Sequence, residues 1–395
     1  MKKFFYKLTA IIIAVIMLLP IGLKVFGEEN APVEAGPFGV GEGSLNLDCK
    51  SAILMEATTG TVLYAQNADE ALPPASVTKV MTLLLIMEAI DAGTIRIDDK
   101  VSVSATAASM GGSQVFLKEG EEMTVEDLLK SVVIASANDA AVALAEYVSG
   151  SVEAFVSKMN ARAAELGMNS TKFENVTGLD DTTQHHLTSA RDIALMSAAL
   201  VAHPQVLEYS SIWMDTIRDG AFGLTNTNRL VRFYRGCTGL KTGSTSKAGF
   251  CISATAERDG LSLICVIMGA ESRDVRNAAA TTLLDWGFAN FAIYCEDAGV
   301  SEAITVKGSD VKETRAKSPA FSCVVRKEEL SKIEKTVNLP ECIIAPTSAD
   351  EKIGEILYHC GSREIGKVDI SLCEEIKRIS FFEILKQIFA KSLLI

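Results

Sequence analysis

The chain has 395 residues, 48% hydrophobic and 22% charged, an ordinary globular composition that excludes a disordered or fibrous protein. With 50 acidic residues against 38 basic ones the net charge is −12. Residues 1–27 hold four lysines and no acid, so a chain without them carries −16, and a general nucleic-acid-binding surface, which needs clustered positive charge, is excluded.

Lys2, Lys3 and Lys7 precede an apolar run from Leu8 to Leu23 broken only by Thr9, Pro20 and Gly22, and Lys24 and small Gly27 follow it. That order predicts a signal peptide over 1–27, cleaved near Gly27. The competing reading is an uncleaved anchor, although a run of about 16 residues falls short of the ~20 that a bilayer requires. Either way the rest of the chain is exported. Residues 28–43, rich in Gly, Pro and Glu without periodicity, read as a linker.

Ser51–Glu56 and Thr61–Ala65 flank a Thr-Thr-Gly turn and predict a hairpin. After Pro73-Pro74, Val77, Val80, Met81, Leu84, Leu85 and Glu88 fall in the register of an amphipathic helix. Further helices are expected at Val125–Ala135, Ala140–Val148, Val152–Leu166 and Ala190–Ala202. Strands return at Gly249–Ala256 and Leu261–Gly269 around an Asp-Gly turn, and a helix follows at Asp274–Phe291. Strands at both ends of a helical middle predict an antiparallel sheet built from both ends of the region, with a helical subdomain inserted.

From about Gly299 to Cys373 short β-like segments (Ala303–Val306, Ser322–Val325, Glu355–Tyr358, Glu364–Ile370) predict a separate small all-β domain. In the final stretch, 374–395, Ile379, Phe382, Leu385, Ile388, Phe389 and Leu393 stand at helical spacing with Lys377, Arg378, Lys386 and Lys391 among them. A core-facing helix is one reading. A helix beyond a complete β domain, with adjacent phenylalanines, favours binding to a membrane surface, and six charges between Glu374 and Lys386 make a span costly. The nine cysteines (49, 237, 251, 265, 295, 323, 342, 360, 373) are scattered without a Cys-x-x-Cys pair, so a zinc site is disfavoured and mostly buried free thiols are expected.

An exported hydrolase commonly uses an activated serine. None of the four histidines (185, 186, 203, 359) sits in a triad setting and no Gly-x-Ser-x-Gly elbow occurs, which leaves lysine as the base. On a helix Ser-x-x-Lys puts hydroxyl and amine on one face. The pattern occurs at Ser76–Lys79, Ser244–Lys247 and Ser309–Lys312, and only the first opens a strong helix, where backbone N–H groups can stabilise an oxyanion. Ser136-Ala137-Asn138 and Lys241-Thr242-Gly243 follow in order, spaced by 60 and 105 residues. Singly these read as a helix cap and a loop entering a strand; the ordered triplet is the pattern of penicillin-binding proteins and class A β-lactamases.

Over residues 45–395 the chain resembles the D-alanyl-D-alanine carboxypeptidases, the low-molecular-weight penicillin-binding proteins of peptidase family S11. The resemblance rests on SVTKVMT at 76–82, GGSQVFLKEGE at 111–121, SANDAAVALAE at 136–146, MNARAAELGMNSTKFENVTGL at 159–179, LTSARDIALMSAAL at 187–200, TNTNRLV at 225–231 and GLKTGSTSKAGFC at 239–251. It implies an α+β fold: a serine β-lactamase/transpeptidase-like domain (44–297), a small β-sandwich domain (298–373) and a C-terminal amphipathic helix (374–395). It further implies that Ser76 attacks the carbonyl between the terminal D-alanines of a peptidoglycan stem peptide, with Lys79 as base. Ser136 and Lys241 relay a proton to the departing D-alanine, the N–H groups of Ser76 and Ser244 form the oxyanion hole, and Asn138 orients the substrate amide. Thr242 and Arg276 hold the terminal carboxylate, Gly243 lines the site with them, and Ser113 and Gln114 line the rim. β-Lactams are the implied inhibitors, a membrane surface the implied partner, and no cofactor or metal is implied.

Ala137 and Thr238 depart from common family choices and bear on substrate preference rather than on the reaction. Two rivals stand beside this reading: a β-lactamase, for which the stretch 169–191 offers only Glu174 and no Glu-x-x-Leu-Asn loop, and an inactive cell-wall-binding homologue.

Overall fold

All six residues of the strand β1 (Ser51–Glu56) are buried, because the sheet it joins is covered on both faces. Side chains alternate across a strand, and here Ile53 and Met55 enter one apolar cluster while Ala52 and Leu54 enter another. The structure, a computed structural model, describes residues 45 to 392 except 46, 182 and 302; the expected signal peptide and linker lie outside the described residues. With β2 (Val62–Gln66), β3 (Cys237–Thr245), β4 (Gly249–Arg258) and β5 (Leu261–Ala270), β1 builds a five-stranded sheet in the order β2-β1-β5-β4-β3. Every pairing is antiparallel, and β1 joins β5 with Ser51 opposite Met268, so the sheet is closed from both ends of the region as expected.

On one face lie α1 (Lys79–Asp91), α2 (Val125–Ile134), α3 (Asn138–Ser149), α4 (Val152–Glu165) and α5 (Ala190–Val201). On the other, α6 (Arg273–Asn290) packs Ala280, Leu283 and Leu284 against Leu54, Leu263 and Ile267. The helix bounds agree with expectation to within two residues. Two expectations change. α1 is not amphipathic: residues 79–84 are all buried, because it runs between the sheet and the other helices rather than over the surface. Lys241-Thr242-Gly243, which taken singly reads as a loop entering a strand, lies inside the edge strand β3.

The chain leaves α6 directly into β6 (Phe291–Glu296), which pairs with β7 (Phe321–Arg326), and Phe291 and Val324 seal the second apolar cluster. The expected boundary at 297/298 thus falls after a strand whose partner belongs to the small domain. There a five-stranded and a three-stranded sheet enclose a core that includes Ile304, Val306, Ile343, Ile356, Tyr358 and Leu372. The C-terminal helix α7 spans Phe381–Ser392 rather than starting at 374, because Ile376 bridges Thr347 and is buried in that core. Among the described residues no helix is long and apolar enough to cross a membrane. All nine thiols are free, but only Cys251 and Cys265, on β4 and β5 inside the sheet, are buried; Cys295 and Cys373 are exposed and the rest half-buried.

Candidate active site

A 3-10 turn, Ala75–Thr78, leads into α1 and carries Ser76. Ala75 sits in the left-handed region (φ 49°), a conformation that costs a non-glycine residue roughly 1–3 kcal/mol and persists only where the surroundings enforce it. The enforcing contact is Gly178: a Cβ there would lie 1.8 Å from the Ala75 carbonyl oxygen, so only glycine lets the two backbones meet.

One turn below Ser76, Lys79 opens α1 and is fully buried. Its Nζ lies 2.9 Å from Ser76 Oγ, 2.6 Å from Asn138 Oδ1 and 2.9 Å from the Thr177 carbonyl oxygen. Burial pushes its pKa well below the ordinary lysine value, the nearby Lys241 ammonium lowers it further, and Asp139 opposes them. A neutral amine has two N–H donors and one lone pair. With the donors taken by Asn138 and Thr177, the lone pair faces the Ser76 hydroxyl, which is the arrangement a general base requires.

Ser136 and Asn138 come from the turn between α2 and α3. Ser136 adopts φ 62°, which turns its side chain into the cleft instead of continuing α2. Asn138 donates from Nδ2 to the Gly111 carbonyl at 2.7 Å, so both ends of its amide are engaged, one of them on Lys79. The next residue, Asp139, accepts from the N–H groups of Val115 and Leu117 at 3.1 and 3.0 Å and thereby shapes the 111–117 rim.

β3 forms the opposite wall. A Cβ at Gly243 would lie 2.8 Å from the Ser76 nitrogen and 2.9 Å from the Val77 nitrogen, so the strand edge presses against the nucleophile's backbone, with Ser244 the next residue along. Lys241 is buried and donates to the Thr242 carbonyl at 3.0 Å; burial, aided by Arg276, brings its pKa down to about 7. Thr242 Oγ1 donates to Thr227 Oγ1 at 2.8 Å. Arg276 on α6 is buried, its pKa pushed down to about 10 by burial and then by Arg273, so it remains a cation at neutral pH. Its Nη1 lies 3.4 Å from the Cys251 carbonyl.

Ser76, Ser113, Ser136, Thr242, Gly243, Ser244 and Arg276 together line one cleft of about 600 Å³. Lys79, Asn138 and Lys241 lie buried beside it, while Gln114 is half-buried and does not line it. The other Ser-x-x-Lys pairs do not reproduce the arrangement: Lys247 donates to the Asp180 carbonyl at 2.7 Å, and Lys312 folds back onto the Ser309 carbonyl in the small domain. Glu174 accepts from the N–H groups of Gln184 and His185, at 3.1 and 3.3 Å, and so braces its own loop.

Sequence reasoning assigned no role to Thr177 and Thr227, which lie in segments that carry the resemblance but act through a backbone carbonyl and a hydroxyl. It also missed His186. Its Nδ1 accepts from the Glu174 N–H at 2.9 Å, so Nε2 carries the proton and donates to Thr78 Oγ1 at 2.7 Å, under the nucleophile turn. Burial drives its pKa down to about 4, and the ring is neutral. Among the described residues no group of three or more His, Cys, Asp or Glu is placed to hold a metal ion.

Residues 39–272 match the D-alanyl-D-alanine carboxypeptidase family, peptidase S11. The chain belongs to that family. Residues 288–378 match the C-terminal domain of penicillin-binding protein 5. The D-alanyl-D-alanine carboxypeptidase DacF of Bacillus subtilis is 38% identical over 379 residues, 94% of this chain and 95% of that protein. Among solved structures, penicillin-binding protein 5 from Haemophilus influenzae is similar with a TM-score of 0.75 and 28% identity, covering 85% of this chain and 99% of that one. Penicillin-binding protein D2 from Listeria monocytogenes, solved in an ampicillin-bound form, is 34% identical with a TM-score of 0.57, covering 62% of this chain and 98% of its own. As the motifs predict, the family's activity is serine-type carboxypeptidase action on D-alanyl-D-alanine, and the fold is the expected α+β transpeptidase-like domain followed by a small β domain.

Proposed function

We propose that the protein removes the terminal D-alanine from peptidoglycan stem peptides outside the plasma membrane, with Ser76 as nucleophile and Lys79 as its base. The observation that carries this is the buried Lys79 amine, held by Asn138 and Thr177 with Ser76 Oγ 2.9 Å away. Lys79 takes the hydroxyl proton as the Ser76 oxygen bonds to the penultimate carbonyl carbon, and the oxyanion meets the N–H groups of Ser76 and Ser244. The C–N bond breaks as a proton reaches the leaving amine through Ser136 and Lys241. Water then cleaves the ester, returning Ser76 and releasing the shortened peptide. Arg276 and Thr242 hold the terminal carboxylate, a fit for a guanidinium. β-Lactams acylate the same serine.

The N-terminal signal exports the chain. α7 then lies on the membrane surface: Phe381, Phe382 and Phe389 are 71, 80 and 61% exposed, with Lys377, Arg378 and Lys386 nearby to meet anionic headgroups. Incubation with a fluorescent penicillin, followed by mass spectrometry, tests the chemistry: the adduct is expected on Ser76, together with D-alanine release from a D-alanyl-D-alanine peptide, and an adduct on Ser244 defeats it. Truncation after Ser380, in a chain whose signal is cleaved, is expected to give a soluble protein that still binds penicillin; a truncated protein that sediments with membranes defeats the anchor.

A further inference from the structure

Among the described residues the cleft wall carries three arginines, Arg229, Arg273 and Arg276, and no aspartate or glutamate. Their settings differ. Arg276 is buried and held by Asn277 at 2.8 Å, whereas Arg229 and Arg273 are exposed, and among the described residues neither guanidinium makes a hydrogen bond or an ion pair. They reach the mouth from separate elements, Arg229 just before the short helix Leu230–Phe233 and Arg273 at the first position of α6. Both lie close enough for their charge to lower the pKa of Arg276, while Asp274 beside Arg273 opposes them. Free cations clustered at one cleft stand out in a protein of net charge −12, whose mean field repels anions.

We propose that Arg229 and Arg273 form an outer capture site that draws in the substrate's terminal carboxylate and hands it to Arg276 deeper in the cleft. The proposal rests on the reading that the cleft takes a peptide ending in a carboxylate, and it adds a separate role for two residues outside the reaction triplet. A cleft wall of one sign speeds encounter with the opposite charge by about 10- to 1,000-fold, an effect that salt removes because the screening length is about 8 Å at physiological ionic strength.

The test measures the second-order rate of Ser76 acylation by benzylpenicillin, a monocarboxylate, against ionic strength. The wild type is expected to slow as salt rises. The double variant Arg229→Gln with Arg273→Gln is expected to be about 10-fold slower at low salt, with a flat profile that meets the wild type at high salt. Deacylation is expected to be unchanged, and replacing both by lysine is expected to keep the salt slope. A glutamine pair with the wild-type slope, or a lysine pair as flat as the glutamine pair, overturns the capture site. Adduct formation at Ser76 reports the underlying reading separately from the slope.

Discussion

Two Ser-x-x-Lys pairs stand beside the same cleft and only one is built for catalysis. Ser76 and Lys79 flank a helical turn, so the residues share a face and the buried amine meets the Ser76 hydroxyl while Asn138 and Thr177 hold it. Ser244 lies one residue before the end of an edge strand and Lys247 in the turn beyond it, so no helical turn brings the two side chains onto one face. Lys247 is exposed and bonds to the Asp180 carbonyl. The same four-letter pattern thus places a base against its serine in one region and ties down a loop in the other. Backbone geometry and burial make the difference.

The comparison is sharpest in acylation by penicillin. Lys79→Ala is expected to reduce the rate by about 10²–10⁴-fold in a folded protein, while Lys247→Ala stays within a few-fold; stopped-flow rates for the pair check both, and equal losses would erase the distinction. Gly243→Ala is expected to lower acylation by about 10²-fold, because its methyl collides with the Ser76 and Val77 nitrogens and displaces the nucleophile from β3. A normal rate in that variant contradicts the close packing.

A smaller effect is expected in the pH profile of D-alanine release. Lys79 must be neutral to act, and burial favours that form, so the acid limb reports its protonation. Lys241 must carry a proton, so release weakens as pH rises through about 7. Arg276→Gln removes a charge that lowers this pKa and is expected to move the alkaline limb upward; a stationary limb assigns that limb to another group. The smallest effect is on stability. His186 binds its proton near 6.5 when unfolded and near 4 when folded. The unfolded state therefore takes up the proton first, and about 3 kcal/mol present above pH 6.5 is lost as pH falls towards 4. Chemical denaturation of His186→Gln across that window is expected to show a flatter dependence than the wild type.

The chemistry was legible because it is local: Ser76 and Lys79 are one helical turn apart, and the turn before Asn138 is marked by Ser-Ala-Asn. The sheet was legible wherever strands are continuous and apolar, as in β4 and β5. β3 was not, because Thr-Gly-Leu-Lys-Thr-Gly-Ser obeys the needs of the cleft: Lys241 is buried for its charge state and Gly243 is present for lack of a side chain, so the alternation that marks a strand is absent. The amphipathic reading of α1 fails because its first two turns are buried all round, Lys79 and Thr82 included. The onset of α7 lies later than 374 because Ile376, outside the helical repeat that starts at Ile379, bridges Thr347.

The loop that meets the nucleophile turn at Gly178 has a consequence for how such enzymes diverge. Asn175 Oδ1 accepts from the Thr177 and Gly178 N–H groups at 3.1 and 2.7 Å, and its Nδ2 donates to the Leu179 carbonyl at 2.7 Å, so one side chain sets the carbonyl that Lys79 touches. The strength of the base is therefore adjustable from a segment that contributes no reacting atom. Substitutions at Asn175 can retune the speed of acylation while all three motifs stay intact, and chains with identical motifs can then differ in how fast penicillin captures them.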